Sequence, residues 1–188
     1  AEHRQYRPGD ELKYIDWKIY SRTNRYYVKQ FEEETNLRSM IAVDCSASMG
    51  YASEGNITKF QYATYLAAAL AYMIMKQKDA VGISLYDSEV TTYLPSRAKM
   101  SYIRELISAL DTAKPANITG TTQALDKLAE RISRRSLVVI ISDFFDEPES
   151  VYSALKHFRH QKHDVLVIQL LDPREMDFQM GWAATFKD

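Results

Sequence analysis

Cysteine is almost absent from this sequence, because Cys45 is the single cysteine among 188 residues. A lone cysteine cannot close an internal disulfide, so the fold does not depend on oxidation and we expect a cytoplasmic protein. Glycine and proline are also scarce, with 6 and 5 residues respectively, which argues against a linker-rich or low-complexity chain. A hydrophobic fraction of 46% indicates instead that the chain can bury a substantial core.

Long apolar runs and an excess of charge are missing as well. No apolar run approaches the roughly 20 residues that a transmembrane helix requires, so we expect no membrane contact from this chain. The 24 Lys and Arg residues balance 25 Asp and Glu residues, for a formal net charge of -1. This balance gives no electrostatic reason to expect nucleic acid as a partner.

Beyond residue 36, short apolar runs alternate with segments of helical periodicity. The predicted strands are residues 40–43, 80–86, 90–94, 137–142 and 165–171, and the predicted helices are residues 59–78, 101–110, 122–133 and 149–161. The runs at 137–142 and 165–171 are typical of strands buried on both faces. Strands that alternate with helices predict an α/β fold, in which a mostly parallel sheet carries helices on both faces.

The first 36 residues have a different character, since they are polar and rich in aromatic side chains. We expect residues 1–36 to form a flanking segment that packs on the domain formed by residues 37–188, with Trp17 inserted against its sheet. Four charged side chains of this segment are candidates for internal ion pairs or for a partner surface: Arg7, Asp10, Asp16 and Arg22. The pattern of charges is compatible with both roles, so the two alternatives stay open.

Three groups of oxygen-bearing side chains lie next to predicted strands and helices. They are Asp44, Ser46 and Ser48 after the first core strand, Thr119 and Thr121 before the helix at 122–133, and Asp143 after the strand at 137–142. Open parallel sheets bind their ligands at the carboxyl ends of the strands. We therefore expect the three groups to converge on one edge of the sheet.

The spacing of Asp44, Ser46 and Ser48, at i, i+2 and i+4, suits a metal ion. In an extended loop this spacing directs all three side chains to the same side. Carboxylate and hydroxyl oxygens suit Mg²⁺, which takes oxygen ligands in octahedral geometry at about 2.0–2.1 Å. Because several of these ligands are neutral, the ion would stay electron-poor, keep water, and exchange one water for a carboxylate of a partner.

The motif resembles the metal-ion-dependent adhesion site of von Willebrand factor A domains, in which Asp-x-Ser-x-Ser follows a buried strand. More narrowly, the chain is similar to the bacterial von Willebrand factor A-like proteins of domain-of-unknown-function family 58. The matching runs are Tyr6-Arg-Pro-Gly-Asp10, Tyr14-Ile-Asp-Trp-Lys18, Ser21-Arg-Thr23, Val43-Asp-Cys-Ser-Ala-Ser-Met49, Asp79-Ala-Val-Gly82, Ile141-Ser-Asp-Phe144 and Leu171-Asp-Pro173. The runs are spread over nearly the whole chain, which makes the resemblance specific.

The resemblance implies a cation-dependent protein-binding module that is not an enzyme. It assigns these ligands to Mg²⁺ or Mn²⁺: Asp44, Ser46, Ser48, Thr119 and Asp143. Aligning the helix that follows favours Thr119, and Thr121 is the second candidate because Asn117-Ile118 replaces the usual glycine-rich run of the family. The implied partner is a protein that offers an Asp or Glu carboxylate to the metal. The resemblance also implies a link to an AAA+ ATPase of the MoxR type in protein maturation or assembly.

Two other functions use the same residues. A metal-assisted phosphoesterase would need further carboxylates, for which Asp146 and Asp172 are the candidates, and a general base that the sequence does not place. A metal-free scaffold would keep the fold with a silent site, but every motif position retains an oxygen-bearing side chain. We therefore predict the binding module ahead of both.

Overall fold

The computed structural model describes residues 2–30, 37–116 and 120–177 of the chain. The chain divides into two compact units, Ala1–Thr35 and Asn36–Asp188. Within the described ranges, each unit has a β-sheet of its own, with two strands in the first unit and five in the second. None of the helices in the described ranges is long and apolar enough to cross a bilayer.

Over its described residues, the N-terminal unit combines a two-stranded antiparallel sheet with a short α-helix. β1 (Glu2–Gln5) pairs with β2 (Tyr27–Gln30), and α1 (Trp17–Thr23) lies between them in sequence. Asp16 caps α1, because its Oδ1 accepts hydrogen bonds from two backbone N–H groups in the first turn, at 2.9 and 3.1 Å. This cap determines where the helix begins.

Trp17 occupies the first position of α1, and it is 61% exposed. The insertion of this indole against the sheet of the second unit stays a prediction. None of the seven residues of α1 is buried, and the indole contacts an aromatic ring of its own helix. It stands edge-on to Tyr20 with ring centroids 6.0 Å apart, and Tyr20 stacks on Tyr26 at 4.5 Å.

The second unit alternates strands with helices, as predicted. Its strands are β3 (Arg38–Asp44), β4 (Ala80–Tyr86), β5 (Val90–Arg97), β6 (Leu137–Ser142) and β7 (Asp164–Gln169). Its helices are α2 (Lys59–Lys76), α3 (Ile103–Thr112), α4 (Thr121–Arg131), α5 (Pro148–His160) and α6 (Pro173–Asp177). The bounds of β4 and β6 agree with the prediction, and the short helix α6 was not predicted.

The five strands form one sheet in the order β5-β4-β3-β6-β7. β3 is central and pairs in parallel with β4 and with β6, and β6 pairs in parallel with β7. β5 runs antiparallel, because a short turn after β4 returns the chain directly beside it. The predicted α/β class with a mostly parallel sheet is confirmed. Parallel pairing brings the carboxyl ends of β3 and β6 to the same edge of the sheet.

Helices cover both faces of the sheet, and successive side chains alternate between the faces. On β3, Ile41 and Val43 pack into the cluster that contains α2 and α3. Met40 and Ala42 pack into the cluster that contains α4 and α5. Every residue of β3 after Arg38 is buried, since a central strand is covered from both sides. This strand therefore joins the two halves of the core.

β7 differs from the buried strand that its apolar run predicted. Leu166 and Val167 are 48% and 41% exposed. Among the described strands, β7 pairs with β6 alone and lies at one end of the sheet. The prediction of burial is wrong here because an apolar run does not reveal whether a strand is central or lateral.

α2 begins at a capping box that Thr58 and Gln61 form. Thr58 Oγ1 accepts a hydrogen bond from Gln61 N–H at 3.1 Å, and Gln61 Oε1 accepts one from Thr58 N–H at 3.1 Å. The buried stripe of the helix carries Ala63, Ala67 and Ala71 at four-residue spacing. Small side chains let the helix approach the sheet closely, so the cap and the stripe together fix its placement.

Gly82 in β4 lies against the backbone of β5, where a side chain has no room. A Cβ at this position would lie 2.4 Å from the carbonyl oxygen of Leu94 and 2.8 Å from the backbone nitrogen of Ser96. The pairing of β4 with β5 shifts register across Gly82. Pro95 stands opposite this irregularity and cannot donate a ladder hydrogen bond, which is typical of a bulge in an edge strand.

Gly82→Ala is expected to lower the free energy of unfolding by about 2 kcal/mol or more, because backbone atoms of β5 must move. Gly50→Ala is the matched control, since a Cβ there would meet Pro115 Cβ at 3.4 Å, an ordinary contact. Urea unfolding followed by circular dichroism measures both variants. Equal stability of the two variants would contradict the close approach of β5 to Gly82.

Candidate metal centre

Asp44 ends β3, and its carboxylate is buried at the carboxyl edge of the sheet. Its Oδ1 accepts a hydrogen bond from Ser46 N–H at 2.8 Å, and its Oδ2 accepts one from the Ser142 hydroxyl at 2.5 Å. Ser142 ends β6, and its Oγ accepts a hydrogen bond from Phe144 N–H at 2.9 Å. The carboxylate of Asp44 is therefore held from two neighbouring strands.

Ser46 has an extended backbone, as its spacing predicted, but Ser48 lies in a tight turn that begins at Ala47. Residues Ala47–Gly50 form a 3-10 turn, and Met49 within it is fully buried. The apolar Met49 draws the chain inward, which curls the backbone at the motif. The turn still brings the hydroxyls together, with Ser46 Oγ and Ser48 Oγ 3.0 Å apart.

Asp143 directly follows β6 and is fully buried. Its Oδ1 accepts a hydrogen bond from Phe145 N–H at 3.3 Å. Its Oδ2 accepts a hydrogen bond from Lys59 Nζ at 2.8 Å, and this forms a buried ion pair. Asp44 and Asp143 stand at the ends of neighbouring parallel strands, at the same edge of the sheet.

The two carboxylates of the site differ in how their charge is compensated. Burial raises the pKa of Asp44 above its ordinary value, the hydrogen bonds from Ser142 and Ser46 lower it in part, and the charge of Asp143 raises it again. Asp143 has the ammonium of Lys59 as a partner. Among the described residues, Asp44 has hydrogen-bond donors but no cationic partner. A cation at Asp44 would offset both desolvation and repulsion.

The predicted threonine ligands fall at the limit of what the structure describes. Thr119 lies outside the described residues, and Thr121 begins α4. Ala116 reaches this edge of the sheet, since its N–H donates to the carbonyl oxygen of Cys45 at 2.9 Å. Gly120 packs tightly as well, because a Cβ there would lie 2.9 Å from Ser88 Cα in the turn after β4.

Cys45 lies inside the motif but is not a metal ligand by its chemistry. Burial is the main cause that raises the pKa of its thiol to about 12. The thiol donates to the carbonyl oxygen of Tyr86 at 3.0 Å. A thiol that stays protonated at neutral pH acts as a small buried hydrophobe.

Lys59 is the residue of this site that the sequence analysis missed. Its side chain is 4% exposed, and its Nζ lies 2.8 Å from Asp143 Oδ2 and 2.6 Å from Glu175 Oε1. Nζ also stands 4.6 Å from the centre of the Phe145 ring. One signal was present in the sequence. Lys59 precedes Ala63 by four residues, so it lies on the buried face of α2 although it is charged.

Asp172 links the C-terminal helix α6 to the loop that follows the motif. Its Oδ2 accepts hydrogen bonds from the backbone N–H and the hydroxyl of Ser53, at 2.9 and 3.0 Å. Its Oδ1 accepts a hydrogen bond from Arg174 N–H at 2.9 Å, and its own N–H donates to Glu175 Oε2 at 2.7 Å. These bonds occupy the carboxylate of Asp172, which is one of the two further carboxylates considered for a phosphoesterase.

The donors at this edge fit a hard divalent cation. They are the carboxylates of Asp44 and Asp143 and the hydroxyls of Ser46 and Ser48, all of which are oxygen ligands that Mg²⁺ and Mn²⁺ accept. Within the described ranges, no three His, Cys, Asp or Glu side chains gather as a zinc site or a two-metal hydrolase requires. The chemistry of the donor set therefore favours a single hard cation.

The charged residues of the N-terminal unit serve its own structure in two of four cases. Asp10 accepts a hydrogen bond from Arg4 Nη2 at 2.8 Å, and this contact is the main cause that lowers the pKa of Asp10. Asp16 caps α1 and lies 3.1 Å from a ring nitrogen of His3. The side chains of Arg7 and Arg22 are exposed. A partner surface in this unit would therefore rest on the two arginines.

The sequence pattern of the family described as "Protein of unknown function DUF58" matches residues 2–188. The chain belongs to this family. Among curated proteins, uncharacterized proteins of Mycobacterium tuberculosis and Mycobacterium bovis are 29% identical to it over 180 residues. The match covers 94% of this chain and 56% of each relative, so the chain spans a little over half of their length.

Two solved structures share the fold. The conserved hypothetical protein BatB from Bacteroides thetaiotaomicron gives a TM-score of 0.58 at 18% identity, covering 71% of this chain and 66% of that one. An aerotolerance-related membrane protein from Bacteroides fragilis, with multiple mutations to serines, gives 0.57 at 21% identity, covering 71% and 67%. At these identities the likeness establishes the fold alone. The shared fold is a mostly parallel central sheet between helices.

Asp172→Asn is expected to weaken the acid sensitivity of the fold. Burial acts to raise the pKa of Asp172, but the hydrogen bonds from Ser53 and Arg174 outweigh it and hold the pKa below its ordinary value. The contribution of Asp172 to stability is therefore complete above the unfolded pKa of about 3.9 and is lost as the pH falls through the folded pKa. Urea midpoints measured from pH 6 to pH 3 should fall less steeply in the variant than in the wild type. Asp146→Asn is the control, and identical pH profiles of Asp172→Asn and wild type would contradict the prediction.

Proposed function

We propose that this chain is a divalent-cation-dependent protein-binding module. The proposed ligands of Mg²⁺ or Mn²⁺ are Asp44, Ser46, Ser48, Asp143 and one threonine, which is Thr119 or, as the second candidate, Thr121. The observation that carries the proposal is the buried Asp44 carboxylate, which has hydroxyl neighbours but no cationic partner among the described residues. A buried carboxylate of this kind is stabilised by a cation.

The proposed partner is a protein that offers an Asp or Glu carboxylate at the carboxyl edge of the sheet. Ligands of open parallel sheets bind at this edge. Ser48 is half-buried and Phe145 is exposed, so a partner can reach the site from solvent. A bound divalent cation would supply the positive charge that attracts the carboxylate. Lys59 already neutralises Asp143, so the residues of the site would compensate only part of the positive charge of a bound cation.

The identity of the partner is a further part of the proposal. We propose an AAA+ ATPase of the MoxR type, acting in protein maturation or assembly. The support for this part is the family resemblance, and no contact of the described residues bears on it. The metal-dependent step and the identity of the partner are therefore tested by different readouts of one experiment.

Asp44→Ala is expected to abolish cation-dependent binding of the partner. The immobilised protein should retain the partner from a lysate in Mg²⁺ and release it in EDTA, with mass spectrometry identifying what is released. The affinity for Mn²⁺, measured by calorimetry, should fall at least about tenfold in the variant because a ligand carboxylate is lost. Retention by Asp44→Ala of a partner that EDTA still releases would sink the proposal.

Asp164→Ala is the matched control for that experiment. Asp164 begins β7 at the opposite edge of the sheet and pairs with the exposed side chain of Arg135 at 3.1 Å. The same aspartate-to-alanine change there should leave both Mn²⁺ affinity and partner retention unchanged. If a MoxR-type ATPase is absent from the EDTA-released proteins, only the proposed identity of the partner is lost.

A further inference from the structure

Lys59 places a buried ammonium at the edge of the candidate metal centre. Nζ lies 2.8 Å from Asp143 Oδ2 and 2.6 Å from Glu175 Oε1, so one cation is shared by two carboxylates from different parts of the chain. The rings of Phe145 and Tyr51 are 4.6 and 5.8 Å from Nζ. A lysine enclosed in this way is a resident cation of the site.

The ion pair occupies the carboxylate oxygen of Asp143 that would otherwise be available to a metal ion. Oδ1 of Asp143 accepts a hydrogen bond from Phe145 N–H, and Oδ2 is bound to Lys59. A divalent cation that draws on the charge of Asp143 must therefore act against the attraction of Lys59 and against its positive charge. Buried charges a few ångströms apart interact strongly, because little water screens them.

Glu175 gives the ammonium a second partner. It lies on α6, and its other carboxylate oxygen accepts a hydrogen bond from Asp172 N–H at 2.7 Å, which holds it in place. When Asp143 turns towards a metal, Lys59 keeps the carboxylate of Glu175 and is not left as an unpaired buried charge. The negative charge of Glu175 also favours any cation bound nearby.

We propose that Lys59 is a positioning residue that weakens cation binding by holding Asp143, and that Glu175 opposes it by drawing Lys59 away. The inference rests on the proposed function, because it concerns the affinity of the same metal centre. The two residues act with opposite signs. Removing the charge of Lys59 strengthens cation binding, and removing the charge of Glu175 weakens it.

The test measures Mn²⁺ binding to the full chain in the wild type and in the variants Lys59→Met, Lys59→Arg and Glu175→Gln. Electron paramagnetic resonance reports free Mn²⁺, and calorimetry gives the affinity. Lys59→Met is expected to bind at least about tenfold more tightly than wild type, and Glu175→Gln about threefold or more weakly. Lys59→Arg keeps the charge and should stay near the wild type.

Thermal unfolding provides a second readout that a purely structural role would not produce. Lys59→Met leaves Asp143 and Glu175 without their shared cation, so the variant should be less stable than wild type in EDTA. Saturating Mn²⁺ should then raise its melting temperature by more than it raises that of the wild type. Lys76→Met, in the last turn of the same helix, is the matched control and should change neither affinity nor metal-induced stabilisation.

The outcomes separate this inference from the proposed function. Wild-type binding of Mn²⁺ with unchanged or weaker binding by Lys59→Met overturns the inference and leaves the metal centre standing. Absence of Mn²⁺ binding in the wild type and in all variants overturns both. If Lys59→Met does not fold, Glu175→Gln decides, because weaker binding supports the inference and equal or tighter binding overturns it.

Discussion

Two carboxylates, those of Asp44 and Asp143, are buried close together where β3 and β6 end, and their neighbourhood has to compensate for that burial. Moving a carboxylate out of water costs several kcal/mol even after relaxation, and a like charge nearby adds to the cost. For Asp44 the compensation comes from Ser142 and a backbone N–H. For Asp143 it comes from the ammonium of Lys59. The surrounding elements are arranged so that these partners reach the edge of the sheet.

This compensation is unequal, and the inequality connects the fold to the proposed function. Asp143 is paired with a cation within the chain, whereas Asp44 has only neutral donors among the described residues. The raised pKa of Asp44 reflects the cost that neutral donors leave uncompensated, chiefly through burial. In the proposed function, a divalent cation and a carboxylate of a partner complete this site.

The compensation also ties distant parts of the second unit together. α2 brings Lys59 to the site because its capping box fixes where the helix begins and its alanine stripe lies close to the sheet. α6 brings Glu175, and Asp172 just before it binds Ser53 in the loop after the motif. The C-terminal helix is therefore part of the site through its charge, although it carries none of the proposed metal ligands.

Much of this architecture could be predicted from the sequence by itself. The sequence determined the alternation of strands and helices and the placement of Asp44 and Asp143 at strand ends, because periodicity and strand-end position are local properties. Even within the motif, the 3-10 turn at Ser48 depended on the burial of Met49 in the core. The exposure of β7 depended on its lateral place in the sheet, which no apolar run records.

The partners of the carboxylates were decided only by the tertiary structure. Lys59 stands 84 positions before Asp143 and 116 before Glu175, and Ser142 stands 98 positions after Asp44. Nothing local to these residues specifies which of them meet. Their pairing follows from the order of strands in the sheet and from where α2 and α6 lie. These elements bring the charged groups close together in the dry interior, where electrostatic interactions are strong.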